Sequence, residues 1–211
     1  NWDGVTITSQ DLDTLKFTNE HGEKLSIEKL RYLISKISLL GLKNYHLVNF
    51  SENSEISFNI SNLTKGAYAL SFRFGFSDDD NIDGIYQDLN SVSFNVPGML
   101  GGGYHYMQFD GKYIDSKDEE AGFNYHTIRA VDKTDPDNLI FEDTSFAVNL
   151  GTISVSSNTN VEIRVNLAEW FKNPNTWDLN ELNKVLMPDF DAQKKMSANG
   201  KSVFSLGTVT P

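Results

Sequence analysis

An all-β fold, an antiparallel β-sandwich with short helices near its C-terminal end, is what this sequence predicts. Three observations carry the prediction. Short runs of alternating β-branched or aromatic residues recur up to about residue 166. Turn chemistry separates them, as at Asn19-Glu20-His21-Gly22, Lys65-Gly66, Asp110-Gly111 and Ser156-Ser157-Asn158. After residue 166 the apolar period lengthens from two towards that of a helix.

Taken in order, strands are expected at residues 5–7, 15–17, 30–40, 46–48, 56–60, 67–74 and 91–96. They continue at 104–109, 123–131, 144–148, 152–155 and 161–165. The run 30–40, LRYLISKISLL, fits either period. We read it as a strand preceded by a helical turn at 27–29. Many short strands at this spacing suit a sandwich or barrel. Helical periodicity follows at 167–171, 179–186 and 190–198. Asp178 and Asp189 stand where N-caps belong, and Asn199-Gly200 where a C-cap belongs. A last strand at 202–206 is expected to rejoin the sheet. The helices are too short and interrupted for a separate unit, so residues 1–211 read as a single domain.

With 211 residues the chain can bury a core without disulfides or a structural metal. A net charge of −11 argues against nucleic acid or an anionic membrane surface as partner. The absence of cysteine excludes thiolate metal sites, and leaves both oxidising and reducing compartments open. No window is apolar for long enough to span a membrane. The chain opens at Asn1, which reads as a processed or truncated product, in keeping with removal of a signal peptide.

Enzymatic chemistry finds little purchase. There is no Gly-x-Ser-x-Gly elbow, and Gly101-Gly102-Gly103 lacks the lysine and helix of a phosphate loop. The acidic run SDDDNIDG offers oxygen donors for calcium at Asp78, Asp79, Asp80, Asn81 and Asp83. It lacks the alternation and the closing glutamate of an EF-hand loop, and a solvated acidic loop is the plainer reading. Four histidines remain. His21 sits in a turn and reads as solvated. His46 opens a strand, His126 lies within one, and His105 follows the glycine run. Strict alternation puts His105 and Met107 on one face, an imidazole and thioether set suited to copper(I) as an auxiliary site. The same alternation adds Phe109, which makes that face a core face as readily.

The order of these segments resembles a known family. GEKLSIEKLRYLISKISLL, YHLVNF, SFRFGFSDDDN, Gly98-Met99 with Gly103-Tyr104 and Asp110-Gly111, FNYHTIRA and MPDFDAQKKMSANGKSVFSLGTV resemble the MbnP-like family. These are secreted copper-binding proteins related to MopE and CorA of methane-oxidising bacteria. The resemblance implies a β-sandwich of the bacterial cell envelope, periplasmic, anchored at the outer membrane as a lipoprotein, or secreted. It implies copper held by two histidines with a tryptophan-derived kynurenine, and maps those histidines onto His46 and His126. The tryptophan position falls on Asn44, which cannot form kynurenine, and Leu100 and glycines replace the tryptophans expected after Gly98-Met99. The first reading is therefore a non-enzymatic binding protein that takes a metal ion and meets an envelope protein partner. The alternative is a structural or protein-interaction module that keeps the fold and has lost the copper site.

Overall fold

The computed structural model describes residues 1–211 except residues 40, 42, 62, 136 and 157. Leu40 of the predicted 30–40 strand and Ser157 of the predicted turn thus lie outside the described residues. The main sheet has eight strands, all antiparallel. They are β1 (Phe17–Thr18), β2 (Lys24–Leu25), β3 (Lys29–Ser35), β4 (Tyr45–Asn49), β5 (Gly66–Phe74), β6 (Met107–Ile114), β7 (Glu120–Thr127) and β10 (Phe146–Val155). Two smaller pairs complete the β-structure: β8 (Ala130–Asp132) with β9 (Ile140–Glu142), and β11 (Asn160–Val165) with β12 (Phe204–Thr210).

Strand β3 organises the sheet because one of its edges serves two partners. Along one edge it pairs with β4. Along the other it pairs with β6 at residues 29–32, then with β5 at Ile34 and Ser35. The change falls at Leu33, whose N–H donates to Tyr106 O at 2.8 Å and whose carbonyl accepts from Gly75 N at 2.9 Å. One branch, β6–β7, runs away on one side of this fork, and β5–β10 on the other.

The core fills the space between the branches with aromatic side chains. A 3-10 turn at Leu167–Phe171 bridges them. Its Trp170 packs on Phe74 at 5.2 Å and Tyr125 at 5.9 Å, while Phe171 meets Phe109 at 5.6 Å and Tyr125 at 5.2 Å. These rings are almost fully buried, and burial on this scale is the main favourable term in folding. Among the described residues two α-helices form, α1 (Gln87–Ser91) and α2 (Phe190–Gly200). The Asp189 side chain caps α2 by accepting from Ala192 N at 2.9 Å, as the sequence predicts.

Several local expectations are corrected. Asp110-Gly111 is not a turn but the middle of β6, facing Asn124 and Phe123 across the ladder. Its glycine serves close approach, since a β-carbon there would lie 2.2 Å from Ser26 O. The real hairpin turn comes later, around Asp118 at φ 61°. No helical turn forms at 27–29; Ser26 and Glu28 donate instead to Lys112 O and Asp110 O and extend the ladder. The 30–40 strand stops at Ser35, where Lys36 turns to φ 48°. Residues 179–186 form turns rather than a helix, and the described parts of 5–7, 56–60 and 91–96 hold only isolated bridges or no strand. The runs 144–148 and 152–155 join as β10 through a bulge between Asn149 and Thr152. The last strand pairs with β11 rather than with the main sheet.

Candidate metal centre

Sheet register decides which of the sequence-predicted ligands can meet. Residues directly opposite one another share a face. The row Arg31–Gln108–His126 therefore lies on one face, and Tyr32–Met107–Thr127 on the other. His46 is opposite Ile34, two residues along β3 from Tyr32, and so belongs to the second face. His46 and His126 project from opposite sides of the sheet, and the structure does not bring them together.

His126 instead meets His105. Their rings are 5.3 Å apart and nearly perpendicular, at 84°. The expected alternation from His105 to Met107 fails because the backbone turns at Tyr106. That residue donates its N–H to Thr127 O on β7 at 2.7 Å while its carbonyl accepts from Leu33 on β3. A regular strand residue sends both groups to the same edge, so the chain rotates here and period two is lost. His105 swings to the side of Phe94 and His126, whereas Met107 stays on the face it shares with Phe109. They form no common donor set.

The hydrogen bonds around the pair fix both tautomers. His105 donates Nδ1–H to Phe94 O at 3.0 Å, and its buried Nε2 has no partner among the described residues. Burial, with the neighbouring His126 adding to it, pushes the His105 pKa down to about 4, so the ring is neutral near pH 7. His126 donates Nε2–H to Asp110 Oδ1 at 2.7 Å, which leaves Nδ1 as its basic nitrogen. Burial raises the Asp110 carboxyl, but hydrogen bonds from His126 and Asn124 outweigh it and hold the group below the usual range. Arg31 donates to Gln108 Oε1 at 2.7 Å and to Val92 O at 2.8 Å, and so pins the segment before Phe94 over the pair.

The result is two adjacent imidazoles, the neutral His105 carrying an orphaned buried lone pair and His126 braced by a carboxylate. That bracing is the usual support of a metal-ligating histidine. His46 has a similar habit by itself. It donates Nδ1–H to Glu55 Oε2 at 2.7 Å, rests 4.0 Å from the Phe58 ring, and keeps a buried, unpartnered Nε2.

The acidic loop and the glycine run explain one another. Gly101, Gly102 and Gly103 all hold positive φ, from 65° to 88°. A β-carbon at Gly102 would meet Asp83 at 2.8 Å, and one at Gly103 would meet Asn81 at 2.6 Å. Asn81 Oδ1 accepts from Tyr104 N at 2.8 Å and Asp83 Oδ1 from Gly103 N at 3.1 Å. Asp80 is engaged with Lys36 at 2.8 Å, Asp78 faces Arg129 at 3.7 Å, and Asp79 is exposed. Four of the five expected calcium donors thus spread over separate partners, and Asp79 faces solvent, instead of converging.

Sequence reasoning missed the pairing of His105 with His126, since the backbone turn at Tyr106 has no signature in residue type. A family model described as MbnP matches residues 4–188. No curated protein and no solved structure matches the chain.

Proposed function

The chain belongs to the MbnP family, and from that membership we propose that it is a copper-binding protein of the bacterial cell envelope, periplasmic, lipid-anchored or secreted, and not an enzyme. His105 and His126 are the ligands of this reading. The observation that carries it is the orphaned Nε2 of His105, buried beside a second imidazole that Asp110 orients. Neutral nitrogen donors suit copper, which stands highest among divalent first-row metals for such ligands. With Asn44 in place of a tryptophan, no kynurenine assists. Affinity is therefore expected below that of relatives that carry it.

Copper(I) competition against a chromophoric chelator tests this. One copper per chain is expected in the parent, retained in His46→Ala and lost in both His105→Ala and His126→Ala. Parent-like binding in both of the last two variants would discard the pair.

A second reading, an envelope interaction module without metal, is favoured by one observation. The two positions that the family resemblance implies, His46 and His126, stand on opposite faces of the sheet. A parent that competes for no copper selects this reading.

A further inference from the structure

Another group of ligating side chains converges elsewhere in the molecule. The turn between β1 and β2 carries His21 and Glu23, and the segment after Trp177 brings Asp178 against them. One nitrogen and two carboxylate oxygens from these three lie within 4.8 Å of one another. They share no residue with the histidine pair.

The Glu23 carboxylate is the unusual member. Its residue is 6% exposed, and Oε2 is buried with no hydrogen-bond partner among the described residues. Its other oxygen accepts from His21 Nδ1 at 2.7 Å and from Asn180 Nδ2 at 2.9 Å. Leaving a buried carboxylate oxygen unpaired is costly, and native folds seldom keep one without a use.

The surroundings hold these groups in place. Asn19, itself buried, accepts through Oδ1 from the N–H groups of Gly22 and Glu23, at 2.9 Å each, and donates to Trp177 O at 3.2 Å. Trp177 is locked in the core and donates Nε1–H to Leu182 O at 2.9 Å. Asp178 Oδ1 accepts from Asn180 N at 2.8 Å, which leaves Oδ2 to face His21 Nε2 at 3.6 Å. The single imidazole of His21 thus stands between two carboxyl groups, one on either ring nitrogen.

We infer that His21, Glu23 and Asp178 form a binding site for a divalent cation of the zinc type, fastening the β1–β2 turn to the segment at Asp178. The donor set selects the cation. An imidazole with two carboxylates suits zinc and its neighbours, whereas calcium and magnesium prefer all-oxygen shells. His21 is exposed at 44% of its side chain, so the cation has an open approach and water completes the shell.

Zinc itself is the probe, added to the metal-free full chain and followed by melting temperature and by chelator competition. Zinc should raise the melting temperature of the parent. Its affinity should fall about ten-fold or more in Asp178→Asn and in His21→Gln, a loss comparable to that of disabling a metal site. His21 and Asp178 are not core side chains, so both variants should fold. The double variant His105→Ala, His126→Ala should keep the zinc response, which separates this site from the copper reading. Equal zinc binding by parent, His21→Gln and Asp178→Asn would overturn the inference. So would a zinc response that disappears only in the His105, His126 double variant, or no response in the parent at millimolar zinc.

Discussion

The ring of Tyr106 lies so close over Gly75 that a β-carbon at residue 75 would stand 2.5 Å from it. Gly75 also holds φ 80°, a conformation that other residues adopt only under strain. Substitution Gly75→Ala should therefore destabilise the fold by about 1–3 kcal/mol. Urea denaturation checks it, and a shift in midpoint worth less than about 0.5 kcal/mol would contradict the geometry.

Gly111→Ala should be at least as damaging. Its β-carbon would meet backbone, Ser26 O at 2.2 Å, which cannot swing aside as a side chain can. Gly122, across the neighbouring ladder, supplies the control. A β-carbon there would reach nothing nearer than Lys184 Cε at 3.5 Å, so Gly122→Ala should be close to neutral. Equal effects of the two substitutions would show that close packing is not the reason for Gly111.

These glycines also show how far the fold was legible from sequence. Alternation located β5 and β7, where burial alternates along the strand, and β-branched or aromatic runs located β11 and most of β3 and β4. Asp189 announced α2, because N-cap chemistry is local. Asp110-Gly111 misled because the pair has the composition of a turn, while Gly111 answers to Ser26, which is distant in sequence. The candidate site suffered in the same way. His126 belongs to a segment read as a strand and Asp110 to one read as a turn, and the rotation at Tyr106 depends on hydrogen bonds to both β3 and β7. His21 and Glu23 form a short His-x-Glu run whose meaning requires Asp178, far along the chain.

Met107→Leu should leave copper(I) affinity unchanged and cost less than about 1.5 kcal/mol, since leucine nearly conserves volume. Met107 is 1% exposed and lies on the sheet face opposite His126. Loss of copper(I) binding in this variant, measured by chelator competition, would place the thioether in the site after all.

Acid should weaken the metal-free protein through His105. Its folded pKa of about 4 lies below the ordinary 6.5, chiefly because burial disfavours the charged ring. Between these values the unfolded chain takes up a proton that the folded chain refuses. This contribution therefore costs nothing above about pH 6.5 and grows as pH falls towards 4, to on the order of 3 kcal/mol. The groups around the ring are His126, Arg31 and Lys29, whose positive charge acts in the same direction, with Asp110 tied to His126. Stability against pH for parent and His105→Gln checks this, and parallel curves would contradict it.

Calcium should leave the melting temperature unchanged, because Asp78, Asp80, Asn81 and Asp83 are already committed to Arg129, Lys36 and the backbone at Tyr104 and Gly103. Asn81→Ala should by contrast cost about 1–3 kcal/mol, since the buried Tyr104 N–H loses its acceptor. A calcium-induced rise in melting temperature that Asn81→Ala abolishes would restore the loop as a cation site.

Strand β3 lends one edge to two branches, and Leu33 is the residue at which they part. Neither branch has a replacement for that edge, so neither can keep its pairing while the other melts β3 away. Heating should consequently give one calorimetric peak, with calorimetric and van't Hoff enthalpies in agreement. Amides at the fork should exchange with solvent only through global opening, making the Leu33 N–H among the slowest in the molecule.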